Sequence, residues 1–302
     1  MLLDWALFAF LSAFIIANVV VIEKRLISVN IKSIGVYCVW VATAQLTMAG
    51  IVYLVLGLPD TLQTSTIITA YGAGLSYGIG ASLFFVAIRF EEASRSIAIV
   101  QIFPIFVTIL AVNFLGEDIS IPQQISIVVI VSGAYLISLK KLSLGAIFTP
   151  TKALPFLLLA SFCIGFAFFG FKMAFQDTTV SVVYIFRCCG MSTIFLLFFR
   201  PSMIPVMLSN IKYTPTRNLI LVLLFILVPI ATITQLKATS LGPVSLVTSI
   251  VCTSPIIVFL LTAILTKTKL HELGEPIQRG TLALKGVAMC LVVGGLIGLQ
   301  LL

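Results

Sequence analysis

The stretch AIRFEEASRSIAIVQIFPIFV, residues 87–107, recurs in altered form as ATSLGPVSLVTSIVCTSPIIV at residues 238–258. Aligned without a gap, the two stretches share their opening alanine, a serine (Ser94 and Ser245), an Ile-Val pair and a proline (Pro104 and Pro255). Both stretches are strongly apolar. A repeat of about half the chain, written in such sequence, predicts a duplicated transporter rather than an enzyme.

The amino-acid composition is that of a protein that crosses a membrane many times. Hydrophobic residues account for 60% of the 302 positions and charged residues for only 9%, whereas soluble domains carry about 25% charged residues. A helix needs about 20 apolar residues to cross a bilayer. The expected fold is an all-α membrane protein with ten transmembrane helices, at residues 2–22, 34–56, 66–87, 97–115, 121–139, 153–172, 180–199, 219–236, 244–265 and 282–301.

The repeat extends beyond the proline segments and divides the chain into residues 1–145 and 146–302. Lys24, after the first stretch, aligns with Lys172 at the end of the sixth, and Trp40 aligns with Arg187 in the second and seventh. Each half then holds five helices, an odd number, so the second half is inverted relative to the first. Two inverted five-helix repeats place a pseudo-twofold axis in the membrane plane and a cavity near the midplane.

These residues resemble the pattern of the drug/metabolite transporter superfamily, specifically its ten-helix EamA-type carriers. The resemblance covers essentially the whole chain and rests on Lys24, Lys172, Arg187, the two proline segments and the acidic turn LGED at residues 115–118. The sequence departs from the family at Trp40, where an arginine is often found, and at TKTKLHELGE (266–275), where a shorter turn is usual. The resemblance implies secondary transport by alternating access around a midplane cavity.

In such a fold, charged and polar side chains of the apolar stretches are candidates for solute binding. A charge at a helix centre costs about 2.5–3.5 kcal/mol on insertion scales, so it is expected to face protein or water. The predicted substrate-binding residues are Asn18, Lys24, Tyr77, Gln101, Lys172, Arg187, Gln235 and Cys252. Charge recognition is assigned to Lys24, Lys172 and Arg187; the alternative for these cations is a structural ion pair or snorkelling at a helix end.

Pro104 and Pro255 are the predicted gating residues. Each lacks a backbone N–H and therefore leaves the carbonyl four residues earlier, that of Val100 or Val251, without its helical partner. A moving hinge is one interpretation of this pair, and a fixed kink that shapes the packing is the other.

The distribution of acidic residues indicates the substrate class. No Asp or Glu lies at mid-span, and Glu23, just beyond the first stretch, is expected to pair locally with Arg25. A cation exporter or proton antiporter is expected to hold a buried carboxylate. The sequence therefore predicts a carrier of small amino-acid-like metabolites, neutral, zwitterionic or anionic, with a multidrug or organic-cation exporter of the same fold as the alternative.

Other function classes find less support in the sequence. The single histidine, His271, lies in a connection, and the six cysteines lie in apolar stretches without a CxxC motif. Neither a catalytic triad nor a metal site is expected from such residues. The prediction is a non-enzymatic protein without metal or cofactor, a receptor or scaffold being the alternative to a transporter. Its expected partners are a small-molecule solute and membrane lipid, with a homodimer left open and no nucleic acid.

The basic residues predict the orientation in the membrane. The formal net charge is +8, and most Lys and Arg residues flank the odd-numbered connections between helices. Because Lys and Arg are retained in the cytoplasm, this asymmetry predicts a multi-pass protein of the cell inner (cytoplasmic) membrane with both termini non-cytoplasmic. Members of the resembling family more often have cytoplasmic termini, so the two lines of inference disagree.

Overall fold

The computed structural model describes residues 2–31, 33–87, 99–137, 153–265, 286–288, 290–295 and 298. Helices make up nearly all of these described residues, and no strand occurs among them. The all-helical class predicted from the composition is therefore confirmed for this part of the chain.

The helices follow the apolar stretches of the sequence. In the first half they are α1 (Leu2–Arg25), α2 (Ile34–Leu56), α3 (Thr64–Ala87), α4 (Phe103–Leu110) and α5 (Ile121–Ile137). In the second half they are α6 (Leu154–Ala174), α7 (Val180–Leu196), α8 (Ile204–Lys212), α9 (Thr214–Ile220), α10 (Val228–Leu241), α11 (Val244–Val251) and α12 (Ser254–Leu265). Turns of π-helix extend α1 over Leu26–Asn30 and α4 over Ala111–Leu115, and join α9 to α10 over Leu221–Leu227.

Five helices in the described residues are long and apolar enough to cross a membrane: Asp4–Glu23, Ile34–Leu56, Thr64–Ala87, Leu154–Ala174 and Thr214–Leu241. A sixth crossing results if α7 and the segment Pro201–Lys212, which are bent by 97° relative to each other, count as one span. Shorter apolar helices lie at Phe103–Leu115, Ile121–Gly133, Val244–Val258 and Gly286–Gly295. Every predicted stretch thus contains an apolar helix, although the described lengths of these last four fall short of a full span.

Helix α8 is a feature that the sequence pattern did not predict. It turns sharply away from α7, and its apolar side chains Ile204, Val206, Leu208 and Ile211 are exposed. The run is too short to span a bilayer. Exposed apolar side chains on a short helix are typical of segments that lie at a membrane interface.

The two halves of the chain pack against each other and share one core. Helix α3 packs along α6 and α7, α2 packs along α7, and α1 packs along α10. Phe103 of the first half stacks on Phe168 of the second, with ring centroids 5.5 Å apart. The space between the halves is therefore where a buried site is to be sought.

Glycines allow α3 to approach its neighbours closely. A Cβ added at Gly74 would lie 2.5 Å from the carbonyl oxygen of Arg187 in α7, and one at Gly80 would lie 2.9 Å from that of Ala160 in α6. Lipid provides no hydrophobic driving force between helices, so close packing at small residues is what stabilises such pairs. The backbone of Arg187 is thereby held against α3.

Pro104 and Pro255 each follow a break between two helices. Turns at residues 101–102 and 252–253 interrupt the apolar segments, and a new helix begins with the proline as its second residue. Sequence reasoning placed both prolines inside continuous helices, and the structure corrects this. The physical reason is that proline donates no N–H bond and favours the first turn of a helix.

The two breaks have the same hydrogen-bond pattern. At the first break, the amide of Ile102 donates to Ile99 and the amide of Ile105 donates to Ile102, at 3.2 and 3.0 Å. At the second, the amides of Thr253 and Ile256 donate to Ile250 and Thr253, both at 3.0 Å. These four bonds connect aligned positions of the repeat, so the duplicated sequence forms the same local structure twice.

Candidate functional site

A cavity of about 230 Å³ lies between helices of both halves. Helices α1, α2, α3, α6 and α7 and residues 221–241 form its walls, together with residues beside the two proline breaks. The charged and polar residues in the wall are Glu23, Tyr37, Gln45, Tyr77, Gln101, Arg187, Thr232 and Gln235. The remaining wall is apolar, which is typical of a cavity that orients a small molecule through a few polar groups.

Each long helix turns one face toward this cavity. The wall residues of α1 are Ile16, Val19, Val20 and Glu23, and those of α3 are Tyr77, Ala81, Phe84 and Phe85. Residues three and four apart lie on the same side of an α-helix. The cavity is therefore lined by regular helical faces.

Arg187 is a buried cation in the cavity wall. Its side chain is 4% exposed, and its guanidinium carbon lies 4.5 Å from the ring centre of Tyr77 and 5.9 Å from that of Phe171. Both rings attract a cation through their faces. The Nη1 atom has no hydrogen-bond partner among the described residues. A buried donor without an acceptor is costly, so Arg187 is the strongest candidate in this wall for holding an anionic group.

Glu23 brings the opposite charge to the same cavity. Its carboxylate accepts a hydrogen bond from the Tyr37 hydroxyl of α2. Sequence reasoning ended the first stretch before Glu23 and expected local pairing with Arg25. The structure corrects this, because α1 continues to Arg25 and Glu23 therefore stays on the same helical face as Ile16 and Val20. The expectation that no carboxylate faces the path does not hold for this cavity.

Gln101 lines the cavity at the first proline break and contacts the second break. The Cys252 thiol donates to the backbone carbonyl and the side-chain oxygen of Gln101, at 3.0 and 2.9 Å. The Gln101 amide donates in turn to the hydroxyl of Ser254, at 3.3 Å. Cys252 is itself fully buried and is not a wall residue.

Two other wall residues, Tyr37 and Gln45, lie on α2 and are not among the predicted substrate-binding residues. Gln45 accepts a hydrogen bond from the Cys188 thiol at 2.8 Å. Tyr37, Val41 and Gln45 are spaced by four residues and all three line the cavity. That spacing, which puts two polar side chains on one face of α2, is the sequence signal that would have identified them.

The predicted site residues divide into two groups in the structure. Tyr77, Gln101, Arg187 and Gln235 meet in the cavity wall. Asn18 donates to the Phe14 carbonyl of its own helix at 2.8 Å, outside that wall. Pro104 and Pro255 are buried at the starts of α4 and α12, next to wall residues rather than in the wall.

The two lysines of the repeat also differ from the expected arrangement. The Lys172 ammonium donates to the carbonyls of Thr239 and Gly242, at 3.0 and 2.7 Å. Cations stabilise the C-terminal end of a helix in this way, here the end of α10. The side chain of Lys24, the other predicted charge-recognition lysine, lies outside the described residues.

The acidic turn after α4 caps the start of α11. The Glu117 carboxylate accepts from the amides of Val244 and Ser245, at 2.7 and 3.3 Å, and from the Ser245 hydroxyl at 2.6 Å. A carboxylate at a helix N-terminus satisfies free amides and favours the helix dipole. Glu117 and Lys172 thus hold the turn between α10 and α11 from both sides.

The fold defines a multi-pass helical membrane protein with a cavity between its helices. Residues 3–139 match the protein-family model described as the EamA-like transporter family. That family is part of the drug/metabolite transporter superfamily, and the match over this part of the chain confirms the resemblance that the motifs indicated. A solved crystal structure is similar in fold, with a TM-score of 0.69, 17% sequence identity and 97% of each chain covered. No curated protein matches the sequence.

Proposed function

We propose that this protein is a secondary transporter of small, amino-acid-like metabolites that carry an anionic group, and that it works by alternating access. One observation carries the proposal: Arg187 lies buried in the cavity wall with its guanidinium over the ring of Tyr77, and its Nη1 atom has no partner in the part of the chain that the structure describes. A guanidinium is well suited to bidentate contact with a carboxylate. Tyr77, Gln101 and Gln235 are proposed to hydrogen-bond the same solute.

The size of the cavity favours a small metabolite over a multidrug substrate. Pockets for drug-sized ligands measure about 300–1,000 Å³, and this cavity measures about 230 Å³. Because Glu23 places a carboxylate in the cavity wall, an organic-cation substrate is no longer disfavoured by the absence of such a carboxylate. The choice between the two substrate classes therefore depends on Arg187 and on cavity size.

The cavity walls support two inverted repeats. Four wall residues of α3 and four within residues 221–241 have the same spacing along their helices: Tyr77, Ala81, Phe84 and Phe85 in the first, and Leu224, Val228, Ala231 and Thr232 in the second. Inverted halves facing each other bring aligned residues to a shared cavity. We therefore assign residues 1–145 and 146–302 to two repeats of five crossings each.

Contact between aligned residues supports an axis between the proline breaks. Gln101 and Cys252, which are 151 residues apart and aligned in the repeat, hydrogen-bond directly to each other. Under twofold symmetry, a residue touches its own counterpart only near the axis. In the proposed mechanism the halves rock about this contact, and Pro104 and Pro255 serve as gating positions. Asn18, Lys172 and Cys252 are proposed to hold helices in place, because their bonds are made within the protein.

The orientation and assembly remain those expected from the sequence. We propose a cytoplasmic-membrane location with both termini outside the cytoplasm, supported by the distribution of Lys and Arg. A reporter that is active only in the cytoplasm, fused to the C-terminus, tests this orientation and contradicts it if active. A homodimer is compatible with this proposal, and the mechanism does not depend on one.

Ligand-induced thermal stabilisation of the purified protein tests the proposed function. A ligand at a hundred times its Kd stabilises the state that binds it by about 2.7 kcal/mol. We expect amino acids and carboxylates to raise the melting temperature of the wild type, and Arg187→Ala to abolish the shift. Arg187→Lys keeps the charge without the planar fork, and is expected to retain a weaker shift.

The matched control is Arg200→Ala, which removes an exposed arginine and should keep the full shift. Stabilisation by quaternary amines alone, unchanged in Arg187→Ala, would contradict the proposal and favour the organic-cation exporter. An equal shift from carboxylates in wild type and Arg187→Ala would remove Arg187 from the site.

A further inference from the structure

We infer that Glu23 and Tyr37 form a subsite for a substrate ammonium group, so that the cavity selects zwitterionic amino-carboxylates over simple carboxylates. This inference rests on the proposed function, in which Arg187 holds the carboxylate. The sequence offered no basis for it, because Glu23 was expected to face Arg25 outside the path. It follows from the position of Glu23 in the wall, from the absence of a cationic partner among the described residues, and from its relation to Arg187 in the repeat.

Glu23 is the last of four wall residues on one face of α1. Its carboxylate receives one hydrogen bond, from the neutral hydroxyl of Tyr37, and no ion pair joins it to Arg25 or Arg187 within the described residues. A carboxylate has capacity for about four hydrogen bonds. Glu23 therefore keeps free acceptor sites toward the cavity and lacks a described counter-charge.

The apolar surroundings of Glu23 favour pairing of its carboxylate with a positive charge. Four apolar residues line the same cavity as Glu23: Val19, Val20, Phe84 and Phe85. Phe85 packs edge-on against the Tyr37 ring, with centroids 5.3 Å apart, which orients the hydroxyl toward Glu23. A carboxylate in an apolar wall is costly unless paired and hydrogen-bonded. A primary ammonium supplies three donors and a positive charge to such a site.

The repeat relates the position of Glu23 to that of Arg187. By the alignment of Lys24 with Lys172, Glu23 corresponds to Phe171, and Phe171 lies beside Arg187 at 5.9 Å. The counterpart of Arg187 in the first half is Trp40. In the aligned pair Glu23 and Phe171, only the first half therefore has a charge, an anion. In the aligned pair Trp40 and Arg187, only the second half has one, a cation. An anion and a cation in the wall of one cavity complement a zwitterion.

Three probes of matched shape test the subsite: norleucine, hexanoate, which lacks the amine, and pentylamine, which lacks the carboxylate. Their Kd values are measured by thermal stabilisation of the full-length wild type, Glu23→Gln and Tyr37→Phe. The wild type is expected to prefer norleucine to hexanoate by roughly ten- to a hundredfold, the effect of one hydrogen bond to a charged group. Glu23→Gln should weaken norleucine by that factor and leave hexanoate unchanged.

Tyr37→Phe keeps the carboxylate and removes the hydroxyl that orients it, so a smaller loss of norleucine binding is expected. Asp60→Asn changes an exposed acidic residue and serves as the control, with wild-type preference. Melting temperatures without ligand check that each variant is folded. Should Glu23→Gln fail to fold, Tyr37→Phe decides the question by the same selectivity ratio.

The outcomes separate the two proposals. Equal binding of norleucine and hexanoate by the wild type, or equal weakening of both by Glu23→Gln, overturns the ammonium subsite and leaves the Arg187 proposal standing. Binding of pentylamine alone, with neither carboxylate stabilising the wild type, overturns the proposed function and this subsite with it. Loss of the norleucine preference in Glu23→Gln, with hexanoate affinity kept, supports both.

Discussion

Two groups of residues in the cavity wall differ in charge. In one, the guanidinium of Arg187 lies over Tyr77 and beside Phe171. In the other, the carboxylate of Glu23 accepts a hydrogen bond from Tyr37, and Trp40, the residue that aligns with Arg187, is uncharged. The spacing of wall residues is nevertheless the same in α3 and in residues 221–241. The comparison teaches that helical faces of one spacing can carry different charges, because single residues such as Glu23 and Arg187 give the cavity its polarity.

The largest effect on stability is expected at Gly74, where α3 packs closely against α7. Gly74→Ala places a Cβ 2.5 Å from the Arg187 carbonyl, and backbone atoms of two packed helices cannot yield easily. Overpacking costs about 1–3 kcal/mol, occasionally more. We expect a lower melting temperature and loss of ligand stabilisation, measured on purified protein.

Gly72→Ala in the same helix is the matched control, because an added Cβ there meets nothing within 4 Å. It should melt like the wild type. Equal melting of the two variants would show that the contact of α3 with α7 contributes nothing to the fold.

The contribution of charge to binding can be tested at Tyr77 and Leu224, which begin two wall faces of the same spacing. Tyr77→Ala removes a ring that stabilises the guanidinium, an interaction worth about 2 kcal/mol when desolvated, or roughly thirtyfold in affinity. We expect carboxylate Kd values to rise by up to that factor. Leu224→Ala should change them far less, since its side chain provides no cation–π contact. A similar loss in both variants would mean that wall shape, and not charge, decides affinity.

The contact between the proline breaks provides the smallest expected effect. Cys252→Ala removes the thiol that donates to Gln101, a weak donor in a buried place. We expect a loss of stability of about 1 kcal/mol, read as a small fall in melting temperature. Cys290→Ala changes an exposed cysteine and should leave the melting temperature unchanged. If solute exchange in proteoliposomes also slows in Cys252→Ala alone, the contact takes part in gating.

The described helices and the family resemblance were predictable from the sequence, and so were four residues of the cavity wall. Arg187, Tyr77, Gln101 and Gln235 were identified because polar groups inside apolar stretches need a protein or water partner. Lys172 satisfied the same rule differently, by capping α10. Nothing in the one-dimensional pattern distinguishes a lysine that holds a helix end from one that faces a solute, because both uses neutralise the same charge at the same helical position.

Glu23 shows the other limit of sequence reasoning. The apolar run ends at Ile22, whereas α1 continues to Arg25, and that extra turn carries the carboxylate into the cavity. Hydropathy reports where a bilayer would accept the chain, and backbone hydrogen bonding decides where the helix stops.

By itself, the sequence determined an all-helical membrane protein and its resemblance to a transporter family, because hydrophobicity and spacing are local properties of the chain. The tertiary structure alone decided which side chains meet. It placed Glu23 and Arg187 in one cavity, joined Gln101 to Cys252, and turned Lys172 toward α10. The physical reason is that a side chain acquires its role from neighbours on other helices, and those neighbours are set by close packing at small residues such as Gly74.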